Sequence, residues 1–586
     1  MRWSHYKNFH GRVLSGQLNP AVASQRRCFT AVLITDFKLN SPPQFRPIRR
    51  MKFRLLWLVA LLVVSAAVGL HLHFVGHACG FWRDEVNTIN VASHDSLDEF
   101  RKDSFPVLFP MIVHGWLAGF GEGSLRMLGL LIGVGILATL LVGGWRISRT
   151  PPLISLVLFA FNPTLVVVGD SLRAYGLGTW LIAVVMFAAA WFLLRPDWKR
   201  FGWLTLACVL SVQVLYHNAV FVGAICLGAM AVCWRRKNFL SVAQIFGAGL
   251  LAAISLLPYW AGVAAGRADS AALRTGLDPI RLLNGLGDTF GFPMLEFSAV
   301  WLLLFVGLLV HAGWLWRTNN EASDPENFPR DLPIFAAVMV TVSIFGFVAF
   351  LWLAALPSQG WYFLPLLAVS AVGLDLAWPQ WPEKIRLALV TFLVLSAVVM
   401  VPLAWRILET RFTNVDVWTR QLEKSIAPGD YVIVDPWYCG ITFAHYFKPT
   451  NSWDTLPPLA DHATHRYDLV KLQLQNTNAI VPVLEKISNA LSSGHRVWIV
   501  ALWGWMDIPE TNTVVAPTLP PAPLGQYGWS EVPYTYSWVS QVAHRIGDQS
   551  VTFERVKNPD ATGRFMEETE LFMAEGWRGK TNPAAK

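Results

Sequence analysis

Two adjacent carboxylates, Asp84 and Glu85, follow a long apolar run in the sequence "CGFWRDEVNT" (79–88). Phe81 and Trp82 precede them, and aromatic side chains of this kind anchor at the membrane–water interface. A carboxylate held at such a low-dielectric boundary has a raised pKa and can act as a general base. A pair of carboxylates can also bind a divalent cation. We therefore predict that Asp84 and Glu85 are catalytic, with the metal requirement open and ordinary solvated charge as the alternative.

The motif "DSLRAYG" places Asp170, Arg173 and Tyr175 in a short turn between two apolar runs. A guanidinium binds phosphate oxygens through two parallel hydrogen bonds, and ionisable residues at membrane depth mark functional sites. The turn therefore predicts a site that binds an anionic group of the substrate, mainly through Arg173. The alternative is that Arg173 simply pairs with Asp170.

Three further residues are candidates for substrate binding. His217 lies between two apolar runs, where it either has a structural role or orients a hydroxyl or a phosphate. Arg267 lies in a polar loop and either extends toward lipid headgroups in general or meets one lipid phosphate. Tyr362, in "SQGWYF", opens an apolar run, where it either anchors the chain at the interface or contributes to the site.

These residues must be positioned by a chain that is too apolar for a soluble protein. Of its 586 residues, 54% are hydrophobic and 15% charged, whereas soluble domains average about 25% charged residues. A membrane span needs about 20 apolar residues. About eleven runs approach that length, at 54–76, 125–146, 152–169, 174–194, 202–216, 219–234, 240–262, 297–316, 333–354, 361–378 and 385–406. The expected fold is a polytopic α-helical membrane protein.

Loop charge predicts the orientation of these spans. Lys and Arg concentrate in alternate loops, such as 145–149 and 195–200, and loops of this kind stay in the cytoplasm. The loop 77–124 and all residues after 406 then face the outside, the periplasmic or extracellular side of the inner (plasma) membrane. The net charge of +8 is accounted for by these loops, so it does not indicate nucleic-acid binding.

The chain divides into three parts. Residues 1–50 are polar and Arg-rich, and they are either a disordered extension or the product of a mis-called start codon. Residues 51–406 form the transmembrane core. Residues 407–586, the C-terminal region, have a more polar composition and predict an extramembrane α/β domain.

The C-terminal region contains short patterns typical of strands and of helices. "DYVIVD" (430–435) and "RVWIV" (496–500) predict strands, and 479–494 predicts a helix. The alternating runs "SWVSQVAHRI" and "SVTFERV" predict a β-hairpin.

Taken in order, these motifs resemble one family, the membrane glycosyltransferases of the GT-C fold. The family includes protein O-mannosyltransferases, aminoarabinose transferases and the RgtA/B/C/D-like bacterial enzymes. In this chain "FWRDE" (81–85) is followed by "SFPVLFPMIVHGWLAGFGEGSLRMLGLL" (104–131), by "FNPTLVVVGDSLRAYGLG" (161–178) and by His217. The resemblance covers about residues 54–406, and it is carried by the order of the motifs more than by any one of them.

The resemblance implies an inverting enzyme that moves a sugar from a polyprenyl-phosphate donor to a hydroxyl of a lipid, glycan or protein. Asp84 would accept the hydroxyl proton, Glu85 would orient the acceptor or help to hold a divalent cation, and Arg173 would stabilise the departing lipid phosphate. The family often has an Arg–Tyr pair where this chain has Trp361–Tyr362, so no arginine role is implied there. Two other classes stay open: a transporter or flippase of lipid-linked sugars, and a non-catalytic envelope assembly protein.

Overall fold

The structure is a computed structural model of the chain. It describes residues 50–78, 80–101, 103–269, 278–318, 328–355, 358–502, 532–558 and 563–579, without the side chains of 50–53, 265–269 and 532–533. Apart from residue 50, the predicted N-terminal extension 1–50 therefore lies outside the described residues.

The first part of the chain is built from helices joined mostly by short turns. In chain order they are α1 (Arg50–His77), α2 (Arg83–Ala92), α3 (Leu97–Phe100), α4 (Leu108–Phe120), α5 (Leu125–Ile147), α6 (Pro163–Gly169), α7 (Ala174–Leu194), α8 (Trp198–Val212), α9 (Asn218–Arg235), α10 (Phe239–Ile254), α11 (Trp260–Asp269), α12 (Pro279–Phe290), α13 (Phe297–Thr318), α14 (Phe328–Ala354), α15 (Leu364–Ala377) and α16 (Glu383–Ile407).

Nine helical segments of the described chain are long and apolar enough to cross a membrane. They are Arg54–His77, Glu122–Ile147, Ala174–Leu194, Asn218–Arg235, Phe239–Ala264, Phe297–Thr318, Phe328–Ala354, Gly360–Gln380 and Glu383–Ile407. Each coincides with one of the predicted spans. The fold is thus that of a polytopic helical membrane protein.

The other two predicted spans are shorter than a membrane crossing requires. The run 152–169 breaks at Pro163, which has no backbone N–H to continue a helix, and Asn162 caps α6 by accepting a hydrogen bond from the Thr164 amide at 2.9 Å. The run 202–216 becomes α8, which has 15 residues. The number of eleven spans therefore stays a prediction.

Between the first two spans the chain forms short helices. The most apolar of them, α4, has 13 residues, fewer than the roughly 20 that a crossing needs. Whether the loop 77–124 stays on one side of the membrane remains a prediction.

The C-terminal region is an α/β unit. Its elements are β1 (Arg411–Thr413), α17 (Val415–Ser425), β2 (Tyr431–Asp435), α18 (Cys439–Tyr446), β3 (Trp453–Thr455), α19 (Tyr467–Leu474), α20 (Val481–Ser492), β4 (Val497–Leu502), α21 (Val532–Gln549), β5 (Thr552–Arg555), β6 (Phe565–Glu567) and β7 (Thr569–Glu575). The main sheet has the strand order β3-β2-β4-β7-β5; its first three strands are parallel, and β7 is antiparallel to both of its neighbours. The predicted strands at 430–435 and 496–500 and the predicted helix at 479–494 are confirmed.

The predicted hairpin is wrong in its first half. "SWVSQVAHRI" lies within α21, and only the second run contains a strand, β5. The buried residues Trp538, Val539, Val542 and Ile546 recur at helical spacing. The apparent alternation therefore came from a helix with one buried face.

Aromatic contacts join the C-terminal region to the start of the membrane part. Phe412 stacks on Trp82 with 5.0 Å between ring centroids and meets Phe74 of α1 edge-on at 6.4 Å. The backbone amide of Phe81 donates to the Tyr446 hydroxyl at 2.6 Å. The short helix α2 is thus held between the helical bundle and the α/β unit.

Candidate active site

Glu85 holds the first turn of α2 in place. One of its oxygens accepts a hydrogen bond from the Trp82 amide at 3.3 Å, which closes the N-terminus of the helix. The same carboxylate forms a two-pronged ion pair with Arg126 of α5 and accepts the Leu172 amide at 2.8 Å. Glu85 is completely buried. Its contacts therefore tie α2 to α5 and to the turn before α7.

Asp84 is the accessible member of the pair, with 24% of its side chain exposed. Its Oδ1 lies 3.0 Å from Nε2 of His465, which comes from the C-terminal region, and 3.7 Å from Nε of Arg83. Its Oδ2 lies 3.7 Å from Nη2 of Arg173. The neighbouring carboxylates thus have different partners: Glu85 binds residues of the helical bundle, whereas Asp84 lies near Arg83, Arg173 and His465 and is partly exposed to solvent.

The pKa of Asp84 is held well below its usual range. Burial acts to raise it, but the charge of Arg173, the hydrogen bond and charge of His465, and the charge of Arg83 outweigh that effect. The expectation of a raised pKa is therefore wrong, because these partners could not be seen from the sequence next to Asp84. The carboxylate is ionised throughout the physiological pH range.

Arg173 lies beside Asp84 and is almost fully buried. Its Nη1 donates to the backbone oxygen of Asp84 at 2.9 Å and to the Thr88 hydroxyl at 3.1 Å, and its Nη2 donates to the Ser104 hydroxyl at 3.3 Å. The guanidinium also lies over the Phe105 ring, 4.4 Å from its centroid. Arg173, the predicted anion-binding residue, is therefore fixed in place by α2 and by the segment before α4.

A third acid, Asp103, belongs to this cluster. Its Oδ1 accepts a hydrogen bond from the Ser104 hydroxyl at 3.2 Å, while its Oδ2 has no hydrogen-bond partner in the described part of the chain. Burial raises the pKa of Asp103 against the attraction of Arg173. Arg173 and Arg83 bring two positive charges to Asp84, and burial disfavours a further negative charge on Asp103, so the cluster favours an anionic ligand.

Three of the predicted binding residues form an aromatic cluster next to Arg173. Tyr175, His217 and Tyr362 are mutual neighbours, with ring centroids 6.1–6.4 Å apart. Phe105, which contacts Arg173, meets Tyr175 edge-on at 5.4 Å. The fold thus brings together residues from α7, the turn before α9 and the turn before α15.

An apolar cavity of about 980 Å³ lies behind this cluster, between α12, α13, α14 and α15. Phe347, one of its lining residues, is 5.9 Å from the His217 ring, and Phe363, another, follows Tyr362 in the chain. The aromatic cluster therefore contacts both the charged site, through Phe105, and a wall of the apolar cavity, through Phe347.

Two predicted binding residues are not part of this cluster. Asp170 points away from Arg173 and accepts a close hydrogen bond from His71 of α1, with 2.6 Å between Oδ2 and Nδ1. The alternative pairing of Arg173 with Asp170 is therefore wrong: the turn directs the two side chains to different partners. The side chain of Arg267 lies outside the described residues.

The sequence reasoning did not identify His465, Arg126 or Asp103. Arg126 lies in the motif "GEGSLRMLGLL", where its type and position do not indicate a partner, and Asp103 is one acid in a polar loop. His465 lies in "DHATHRYD", about 380 residues from Asp84. A polar loop with two histidines in a separate region is the only signal, and it does not indicate a partner.

Comparisons with protein families and with curated proteins do not bear on these assignments. A scan against protein-family models found no match, and a search of curated proteins found none either. Within the described ranges, no group of three or more His, Cys, Asp or Glu side chains is placed to hold a metal ion. The requirement for a divalent cation stays open, and the case for a function rests on the geometry around Asp84.

Proposed function

We propose that this protein is an inverting glycosyltransferase of GT-C type, which transfers a sugar from a polyprenyl-phosphate donor to an acceptor hydroxyl at the membrane surface. One observation carries the proposal. The accessible Asp84 has Oδ1 engaged by His465, while Oδ2 faces the buried Arg173 at 3.7 Å. A base and an anion-binding group thus stand side by side, as transfer from a phosphate leaving group requires.

In the proposed reaction the acceptor oxygen attacks the anomeric carbon as Asp84 accepts the hydroxyl proton on Oδ2. The bond between the anomeric carbon and the phosphate oxygen breaks, and polyprenyl monophosphate leaves with its negative charge next to Arg173. Attack opposite the leaving group inverts the anomeric centre. Glu85 acts here as a positioning residue, because it is buried and bonded to Arg126 and Leu172.

The low pKa of Asp84 fits a base that works only with donor bound. In the free protein Arg173 is among the groups that hold this pKa down. A donor phosphate beside Arg173 would offset that charge, and the pKa of Asp84 would rise toward its ordinary value. Proton acceptance by Asp84 is therefore coupled to the presence of the phosphate that leaves.

The apolar cavity supports a donor with a lipid tail. Its volume of about 980 Å³ and its lining by residues such as Trp301, Phe305 and Leu366 suit an isoprenoid chain. The aromatic cluster of Tyr175, His217 and Tyr362 contacts Phe347 of the cavity wall and Phe105 beside Arg173, so the sugar and phosphate of such a donor would lie against it. A substrate whose lipid tail stays among the membrane-spanning helices places its reacting headgroup at the ends of those helices, where Asp84 and Arg173 lie.

Replacing Asp84 by Asn tests the proposal directly. The amide keeps the shape of the side chain but cannot accept the proton, so we expect release of polyprenyl monophosphate to fall by about 10²–10⁴-fold. The protein in nanodiscs would receive a total membrane extract of a strain that lacks the gene, which supplies the lipid-linked donor together with lipid, glycan and protein acceptors. Mass spectrometry would follow polyprenyl monophosphate and the glycosylated product.

Asp98→Asn is the matched control, because Asp98 lies in the same loop and its side chain is 83% exposed. Full activity of Asp84→Asn would contradict the assignment of the base. Movement of a lipid-linked sugar across the bilayer by the unmodified protein, with no polyprenyl monophosphate released, would favour the flippase alternative.

A further inference from the structure

The C-terminal region reaches the candidate site through several polar contacts with α2 along its length. They are His465 Nε2 to Asp84 Oδ1 at 3.0 Å, the His465 amide to Asn87 Oδ1 at 3.0 Å, Asn90 Nδ2 to the Ala463 oxygen at 2.7 Å and Arg83 Nη1 to Glu567 Oε1 at 2.8 Å. These bonds concentrate on α2, the element that carries Asp84.

We infer that His465 is a positioning residue for Asp84, so that the C-terminal region completes the catalytic site instead of serving only as an attached binding domain. This inference rests on the proposed function. His465 holds Oδ1 and leaves Oδ2 as the oxygen that is free to face both Arg173 and the acceptor hydroxyl. The orientation of the base thus depends on a residue that lies outside the membrane core in sequence.

The His465 ring is itself held firmly. Trp437 meets it edge-on at 6.2 Å, and Tyr467 stacks parallel to it at 5.8 Å. Its backbone amide binds Asn87, which lies three residues after Asp84 and therefore on the same face of α2. His465 is thus fixed by both the C-terminal region and α2, as a residue must be if it is to orient another side chain.

The bond also prevents a competing arrangement. Without His465, the nearest cationic group to Oδ1 is Arg83, whose Nε is 3.7 Å away, and the Asp84 carboxylate can rotate and present both oxygens to Arg173. A carboxylate and a guanidinium readily form a two-pronged pair. That pair would engage the base and fill the anion-binding group at once, so we expect the loss of His465 to reduce turnover.

The test compares substitutions of His465 that differ in whether the new side chain can donate a hydrogen bond to Asp84. Gln at position 465 carries its amide nitrogen near the place of Nε2 and can still donate to Asp84, whereas Asn is too short to do so. His465→Ala removes the ring entirely. His544→Gln and His544→Ala are matched controls, because His544 lies on α21 with half of its side chain exposed and pairs with Asp548.

Each variant in nanodiscs would be assayed for release of polyprenyl monophosphate from the gene-deletion membrane extract, with binding of decaprenyl monophosphate measured separately. We expect His465→Ala and His465→Asn to lower kcat by about 10- to 100-fold, the scale of a misplaced catalytic group. Binding of decaprenyl monophosphate should weaken by more than about threefold in the same two variants, because the Asp84–Arg173 pair then competes with the phosphate. His465→Gln should recover most of kcat and of this binding.

Two outcomes separate this inference from the proposed function. If the unmodified protein releases no polyprenyl monophosphate, the proposed function fails. If the unmodified protein is active and the Gln and Asn variants have equal kcat, only the role of His465 is overturned. The comparison of Gln with Asn decides even where His465→Ala does not fold.

Discussion

Replacing Glu85 by Ala should destabilise the protein strongly, in contrast to changes at its neighbour Asp84. Glu85 is fully buried, and its partner Arg126 is only 11% exposed. Removing one member of such a pair leaves a buried charge without compensation, which costs about 3–5 kcal/mol. The amide of Leu172 also loses its acceptor, which costs about 1–3 kcal/mol. Because these effects share one site and are not additive, we expect a loss of about 4 kcal/mol in the free energy of unfolding.

The assay is a double-mutant cycle on the protein in bicelles, unfolded with SDS and followed by tryptophan fluorescence. The variants are Glu85→Ala, Arg126→Ala and the double substitution, with Asp98→Ala as the exposed control. The double variant should be more stable than the sum of the single effects predicts, by about 2–3 kcal/mol, since it removes both charges. A loss under about 1 kcal/mol for Glu85→Ala would refute the reasoning and return Glu85 to the list of catalytic candidates.

Two further predictions concern packing and pH. Gly129→Ala should cost about 1–3 kcal/mol of unfolding free energy, because a Cβ there would lie 1.9 Å from the Asp170 backbone oxygen. Gly223→Ala is the control and should be neutral, because a Cβ at that position has nothing within 4 Å. Equal stability of the two variants would contradict the close approach at Gly129. Burial raises the pKa of Glu567 from 4.5 to about 7 despite Arg83, so its contribution to stability should be complete below about pH 4.5 and be lost as the pH rises through about 7. Between pH 4 and pH 8 the free energy of unfolding of the unmodified protein should fall by up to about 3 kcal/mol relative to that of Glu567→Gln. Parallel pH profiles of the two proteins would show that Glu567 does not titrate in this way.

The membrane fold could be read from the sequence because it depends on local composition. The apolar runs that became α5, α7 and α14 are each long enough to cross a bilayer, and no partner is needed to recognise them. The two predicted spans outside this set differ from it for local reasons as well: Pro163 interrupts one run, and the other is a 15-residue helix. Whether they cross the membrane stays a prediction. Within the C-terminal region, α21 was misread because a short helical face resembles strand alternation.

The candidate site could be predicted only in part. Asp84 and Arg173 were identified from their types and their places at the ends of apolar runs, and the fold brings them within 3.7 Å of each other. The roles of Glu85 and Asp170 were not predictable, since neighbouring side chains on a helix or in a turn point in different directions. Their partners, Arg126 and His71, are 41 and 99 residues away.

The sequence by itself determined that the chain is a polytopic helical membrane protein with charged residues beside its apolar runs. Both properties follow from the cost of placing polar groups in lipid, which each segment bears independently of the others. Only the tertiary structure decided which acid is accessible, which arginine faces it, and that His465 lies 3.0 Å from Asp84. Hydrogen bonds and ion pairs depend on distances between residues far apart in the chain, so composition and spacing cannot reveal them.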